Sequence, residues 1–172
     1  PYMIAKISDR DGNLLEEDRA EAREAIRADT AFIMTNLLTG VVLRGTAEAA
    51  APLDWPLAGK TGTTNECGDA WFIGFDPNLT AGVWVGLDDK KPLGPSETGA
   101  VAALPIWIDF MKTYIDKRCD RQNPPAFQPP PNIVFLPVDR ATGAVTVADN
   151  PNAILEAFIS GTQPGGTLTP DR

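Results

Sequence analysis

Leu57-Ala58-Gly59-Lys60-Thr61-Gly62-Thr63, Ala70-Trp71-Phe72-Ile73-Gly74-Phe75 and Thr80-Ala81-Gly82-Val83-Trp84-Val85-Gly86-Leu87 follow one another with short gaps. Each run is the length of a strand, and turn-forming residues separate them, so the spacing predicts three short strands. Asp76-Pro77-Asn78 joins the last two as a hairpin turn, with proline at a position that suits its fixed φ. Alternation puts Trp71, Ile73 and Phe75 on one face and Val83, Val85 and Leu87 on another. The opposite faces carry further apolar groups, which predicts a sheet covered on both sides.

Helices flank this sheet in sequence. Over residues 30–43, Ile33, Met34, Leu37, Leu38 and Val41 recur at helical spacing, with Asp29 or Thr30 as the cap and Gly45 marking the loop beyond the end. After the strands, Leu104, Trp107, Ile108, Met111 and Ile115 make an apolar stripe that predicts a helix from Val101 to Lys117. Pro105 fits it only in the first turn. Further out, Met3, Ala5 and Ile7 alternate ahead of Asp9-Arg10-Asp11-Gly12, which reads as a hairpin over 2–15. Residues 16–28 are rich in Glu, Ala and Arg and read as helix by propensity, without a strong face. Pro52 and Pro56 argue against regular structure from Ala47 to Pro56. The stretch Asn123-Pro124-Pro125-Ala126-Phe127-Gln128-Pro129-Pro130-Pro131 reads as a stiff linker. It divides the chain into 1–122, the linker 123–131, and an extension 132–172. In the extension, Ile133-Val134-Phe135 and Ala144-Val145-Thr146-Val147 suggest a hairpin, Asn152–Phe158 a short helix, and the Gly-, Pro- and Thr-rich end a frayed tail.

Composition narrows the chemistry. The 172 residues are 43% hydrophobic and 22% charged, the balance of a soluble globular chain. Histidine is absent, which excludes a Ser-His-Asp triad, a Cys-His pair and a HExxH zinc site within the chain. Cys67 and Cys119 are too few and too far apart for a CxxC pair or a four-thiolate metal site. With 15 basic and 23 acidic residues the net charge is -8, which repels phosphate backbones and argues against nucleic acid as a partner. No apolar run reaches the roughly 18 residues of a membrane span.

Chemistry concentrates at Lys60-Thr61-Gly62-Thr63-Thr64-Asn65. On a strand, Thr61 and Thr63 project to one side and Lys60 to the other. Gly62 lacks a Cβ, so a ligand or another backbone can come close. Two hydroxyls, a cation and an accessible strand edge form a surface suited to a carboxylate, and a free strand N–H can donate to an oxyanion. The same residues would also serve as ordinary protection of a strand edge against aggregation. Trp71, Trp84 and Trp107 read as core, and Asp88-Asp89-Lys90-Lys91 as a solvated loop.

Order along the chain adds a second kind of information. Phe32-Ile33-Met34-Thr35 is followed by Gly45-Thr46, then Ala58 to Asn65, then Asp69 to Phe75, then Ala81-Gly82-Val83-Trp84-Val85-Gly86. Pro105-Ile106-Trp107 and Asp109-Phe110-Met111 close the series. It resembles the C-terminal half of the transpeptidase domain of class A penicillin-binding proteins, bifunctional peptidoglycan synthases. The resemblance covers about residues 1–118 and is most specific from Gly59 to Gly86. It implies an α/β fold, the α/β/α sandwich with an antiparallel sheet of serine transpeptidases and serine β-lactamases, here its C-terminal part. One side of the sheet should then lack its helices. It also implies D,D-transpeptidation, with Lys60, Thr61, Gly62 and Thr63 binding the carboxylate of a peptidoglycan stem peptide or a β-lactam. The Thr63 backbone N–H would be half of an oxyanion hole. No cofactor or metal is implied.

The family works with three motifs, S-x-x-K, S-x-N and K-T-G. The chain's three serines, Ser8, Ser96 and Ser160, fit neither serine motif. The nucleophile is therefore expected in an N-terminal half of the same protein, which would be this chain's partner and make it catalytically incomplete alone. The start Pro1-Tyr2-Met3-Ile4 suits a piece of a longer polypeptide. Family membership further implies a glycosyltransferase domain and a membrane anchor outside this chain, at the periplasmic side of the bacterial inner membrane. Rival readings are a D,D-carboxypeptidase or β-lactamase on the same fold, or a non-catalytic carboxylate-binding module.

Overall fold

The three central strands fall where the sequence puts them. The computed structural model describes residues 4–18, 23–64, 68–89 and 91–164. In it β3 (Ala58–Thr63), β4 (Asp69–Phe75) and β5 (Thr80–Gly86) form an antiparallel sheet in that order. They follow β1 (Lys6–Ser8), β2 (Leu14–Glu17), α1 (Ala28–Arg44) and a 3-10 helix (Glu48–Leu53). Beyond them come a π-helical turn (Gly99–Ala103), α2 (Leu104–Asp116), β6 (Ile133–Asp139) and β7 (Ala153–Ile159). The turn at Asp76 closes on itself: its carboxylate accepts the N–H groups of Asn78 and Leu79, and the Trp55 indole N–H from below.

Register decides which residues share a face. Lys60 pairs with Ile73, Gly62 with Trp71, and Trp71 with Trp84, so these side chains lie together. Ala70, Phe72, Gly74, Val83 and Val85 occupy the other face, which is the core. There α2 buries Leu104, Trp107, Met111 and Ile115, most of its predicted stripe; Ile108 is only partly buried. Pro105 sits in the first turn. The Trp107 ring meets Phe72 edge-on with centroids 4.9 Å apart, and its N–H donates to the Ala81 carbonyl at 3.1 Å. It lies directly on Gly74, where a Cβ would stand 2.5 Å from the ring.

The outer face overturns one expectation. Trp71 is 41% exposed, Ile73 50% and Trp84 47%, so the sheet is not covered on both sides and two of the three tryptophans are not core. The physical reason is a shortage of layers. The π-turn and α2 take the core face, and α1 packs against β3. Among the described residues, Phe127 of the Pro-rich stretch reaches Phe75, centroids 5.7 Å apart, at one end of the outer face. The half-exposed Trp84 still has its N–H bonded to Asp69 at 2.9 Å.

Helix α1 begins earlier than its spacing suggests, and neither Asp29 nor Thr30 caps it. Arg27 is the cap residue and contributes no side-chain bond. Asp29 lies instead in the first turn, where its charge favours the positive helix end. It is 4% exposed and accepts hydrogen bonds from Arg27, the Thr30 N–H and the Asn132 amide. Val41 and Val42 join the core, while Met34 and Leu37 of the expected stripe are each 54% exposed.

Three other segments differ. Glu16 and Glu17 belong to β2, opposite Ile7 and Lys6, and residues 23–27 are not helical. Helix propensity without an apolar face does not hold a helix by itself. Pro52 lies inside the 3-10 helix rather than forbidding regular structure, because its φ suits that backbone. Asn152–Phe158 is not helical; Ala153–Ile159 is strand β7, paired along its whole length with β6. The expected partner 144–147 makes one bridge, Val138 with Val145, after a turn in which Gly143 has φ 73°. Cross-strand pairing with a seven-residue neighbour overrode the local preference.

The hairpin at the start forms around Gly12, φ 84°, with Asp9 accepting from Asp11 and Asn13. Residues 2–3 of its expected range lie outside the described residues, as do 19–22, Asn65, Cys67, Lys90 and the tail 165–172. Cys119 is an exposed free thiol.

Candidate functional site

Lys60, Thr61, Gly62 and Thr63 are consecutive in β3, which is the edge of its sheet among the described residues. The Thr64 N–H donates to the Asp69 carbonyl at 3.1 Å. In an antiparallel pair the direction of the backbone groups alternates. Lys60 and Gly62 therefore point their N–H and C=O groups at β4, while Gly59, Thr61 and Thr63 point theirs outward from the sheet. The site is a ladder of outward-facing donors and acceptors, flanked by hydroxyls on one side and a cation on the other.

The side chains are held from both flanks. Thr61 shares a 3.0 Å hydrogen bond with the hydroxyl of Thr46, just past the end of α1. The Thr63 hydroxyl accepts the Gly99 backbone N–H at 3.1 Å. Lys60 is exposed on the outer face, and its ammonium curls round the edge to the Thr61 carbonyl at 2.8 Å. Gly62 leaves the outer side of the strand low, facing Trp71. Carboxylate-bonding groups of both kinds, hydroxyl and ammonium, thus meet at one edge with an outward N–H from Thr63.

Two of these residues escaped sequence reasoning. Thr46 and Gly99 carry no motif of their own. The run Gly45-Thr46 stands in the ordered series, but its contact with Thr61 depends on how α1 ends. Gly99 reveals itself through space alone: a Cβ there would fall 2.2 Å from the Trp71 carbonyl and 2.6 Å from that of Gly62.

The family model described as penicillin binding protein transpeptidase domain matches residues 1–112. The chain belongs to the penicillin-binding protein transpeptidase family. Curated relatives agree. Penicillin-binding protein 1A of Aquifex aeolicus is 41% identical over 95% of this chain. The protein of the same name from Rickettsia bellii is 40% identical over 92%. Each match spans 22% of the relative, so the chain covers about a fifth of the length of these penicillin-binding proteins. Among solved structures, penicillin-binding protein 1A from Haemophilus influenzae superposes with a TM-score of 0.68 and 28% identity, over 97% of this chain and 30% of that one. The fold is thus the α/β fold of the penicillin-binding transpeptidases, and the resemblance carried by the K-T-G series is a true relationship.

Proposed function

We propose that this chain supplies the carboxylate-binding and oxyanion-binding edge of a serine D,D-transpeptidase that cross-links peptidoglycan stem peptides and is acylated by β-lactams. The observation that carries this reading is the outward N–H of Thr63 on an open edge, beside Thr61, Thr63 and Lys60. Lys60, Thr61 and Thr63 hold the terminal carboxylate of the donor peptide, and Gly62 keeps the strand low enough for it to approach. A serine from an upstream S-x-x-K segment attacks the penultimate D-Ala carbonyl. The oxyanion that forms accepts the Thr63 N–H and the N–H of that serine. The C–N bond then breaks, D-Ala leaves with a proton, and an acyl-serine ester remains. An amine of a neighbouring stem attacks the ester and returns the proton to the serine. A lysine base suits a chain without histidine.

On the same reading the reaction takes place at the periplasmic side of the inner membrane, with anchor and glycosyltransferase in other parts of the protein. Among the described residues no helix is long and apolar enough to cross a membrane. The test is to incubate the protein carrying both this chain and the upstream segment with stem-peptide substrate and, separately, with penicillin. Cross-linked dimers and a penicillin adduct on an upstream serine are expected. Released stems without dimers would indicate a carboxypeptidase, and no adduct at all would leave a non-catalytic module.

A further inference from the structure

Hairpin β6–β7 lies beyond the residues matched by the transpeptidase family model, yet it grips α1 at three places. At the start of the helix the Asn132 amide donates to Asp29 at 2.7 Å. One turn on, Phe32 meets Phe135 edge-on with centroids 6.1 Å apart. At the far end Arg44 forms an ion pair with Glu156 at 2.6 Å, the two side chains 30% and 19% exposed. A charge-assisted bond in such a partly dry place holds its geometry better than a surface pair.

The residues just past Arg44 connect this grip to the candidate site. The chain turns sharply at Gly45, whose N–H bonds the Val41 carbonyl and where a Cβ would sit 2.8 Å from the Val41 backbone. Next comes Thr46, bonded to Thr61. Arg44 and Thr46 are thus separated by one residue with little room to move.

We propose that Glu156 is a positioning residue for the carboxylate-binding hydroxyl of Thr61, acting through Arg44 and Thr46. Glu156 touches no reacting atom. It fixes the last turn of α1, which sets where the Thr46 hydroxyl stands, which in turn fixes the rotamer of Thr61. The C-terminal hairpin is by this account part of the apparatus for recognising a carboxylate. The inference rests on the function proposed above.

The test uses the protein carrying this chain and the upstream serine segment. Its readout is the rate of acylation by a penicillin with a free carboxylate divided by the rate with the methyl ester of the same penicillin. Glu156→Gln is expected to lower that ratio about fivefold or more, since a misplaced hydroxyl costs a fraction of a charge-assisted bond. Glu156→Asp should fall between, and the exchange Arg44→Glu with Glu156→Arg should restore most of the ratio. An unchanged ratio in Glu156→Gln, or equal loss with both compounds, would overturn the proposal, the latter assigning Glu156 a purely structural role. If Glu156→Gln does not fold, the exchanged pair decides: a ratio no better than in Arg44→Glu alone overturns it. Absence of any acylation in the unsubstituted protein would instead refute the proposed function, and this inference with it.

Discussion

Gly99 hands its backbone N–H to the Thr63 hydroxyl while lying flat across the backbone of Gly62 and Trp71. The contact joins the start of the π-helical turn to the strand edge that carries the candidate site. It works because position 99 has no side chain, so the turn can rest on the hydrogen-bonded pair beneath it.

Replacing Gly99 by alanine should therefore damage the sheet from above. The nearest atoms are carbonyl oxygens of two strands, not the ends of flexible side chains, so relief requires moving backbone. A loss of about 1–3 kcal/mol is expected, read as a lower midpoint in denaturant. Unaltered stability together with unaltered acylation would show that the turn relaxes freely.

Lys60→Ala should separate function from fold. The side chain is exposed and, among the described residues, its ammonium bonds only within its own strand edge, to the carbonyl and hydroxyl of Thr61, so thermal stability should change little. Acylation by penicillin should fall about ten- to a hundredfold, the worth of a charge-assisted bond made in the transition state. Kinetics equal to the unsubstituted protein would remove Lys60 from the site.

Asp29 makes the grip on α1 sensitive to acid. Its carboxyl is lowered from the ordinary 3.8 to about 2, first by the Arg27 bond and then by the Asn132 amide. A carboxyl depressed in the folded state lends stability that is complete above its ordinary value and disappears as pH falls through its folded one. Stability should decline from near pH 3.8 towards pH 2, and Asp29→Asn should flatten that part of the profile. A profile identical in the variant would mean that Asp29 is not the group titrating.

The chain by itself should form no covalent adduct with a β-lactam. None of Ser8, Ser96 and Ser160 has a lysine three residues on, and the Lys60 ammonium beside Thr61 donates to that hydroxyl rather than taking its proton. Intact-mass measurement after incubation with penicillin checks this, and an adduct at any residue would put the nucleophile inside the chain.

The sheet, α2 and the strand position of Lys60 to Thr63 were legible because each rests on a local pattern: alternation, a helical stripe, a motif. What stayed hidden depends on partners distant in sequence. Nothing in Ala153–Ile159 announces a strand until β6 lies beside it. Trp71 and Trp84 look like core because a pattern of apolar residues reports which faces are apolar, not whether anything covers them. The contacts of Thr46 and Gly99 were invisible for a related cause, since a hydroxyl or a bare glycine acquires a role only when another strand arrives within bonding distance. Residues 16–18 and 23–27 misled in the opposite way, with helix propensity but no apolar face to pack.

The outward edge of β3 is also a ruler. Its outward groups recur at every second residue, about 6.8 Å apart; Gly59 is buried, so the accessible divisions are Thr61 and Thr63. An extended peptide laid along it can shift only by whole divisions, because a slip of one residue turns its backbone groups away from the edge and its side chains to the other face. The first of these is guarded: the Lys60 ammonium occupies the Thr61 carbonyl. A stray strand must therefore dislodge a cation to add itself there, whereas on the proposed function an arriving carboxylate would draw that cation away by its own charge. On that reading the same lysine turns the edge from one open to any strand into one opened by an anion.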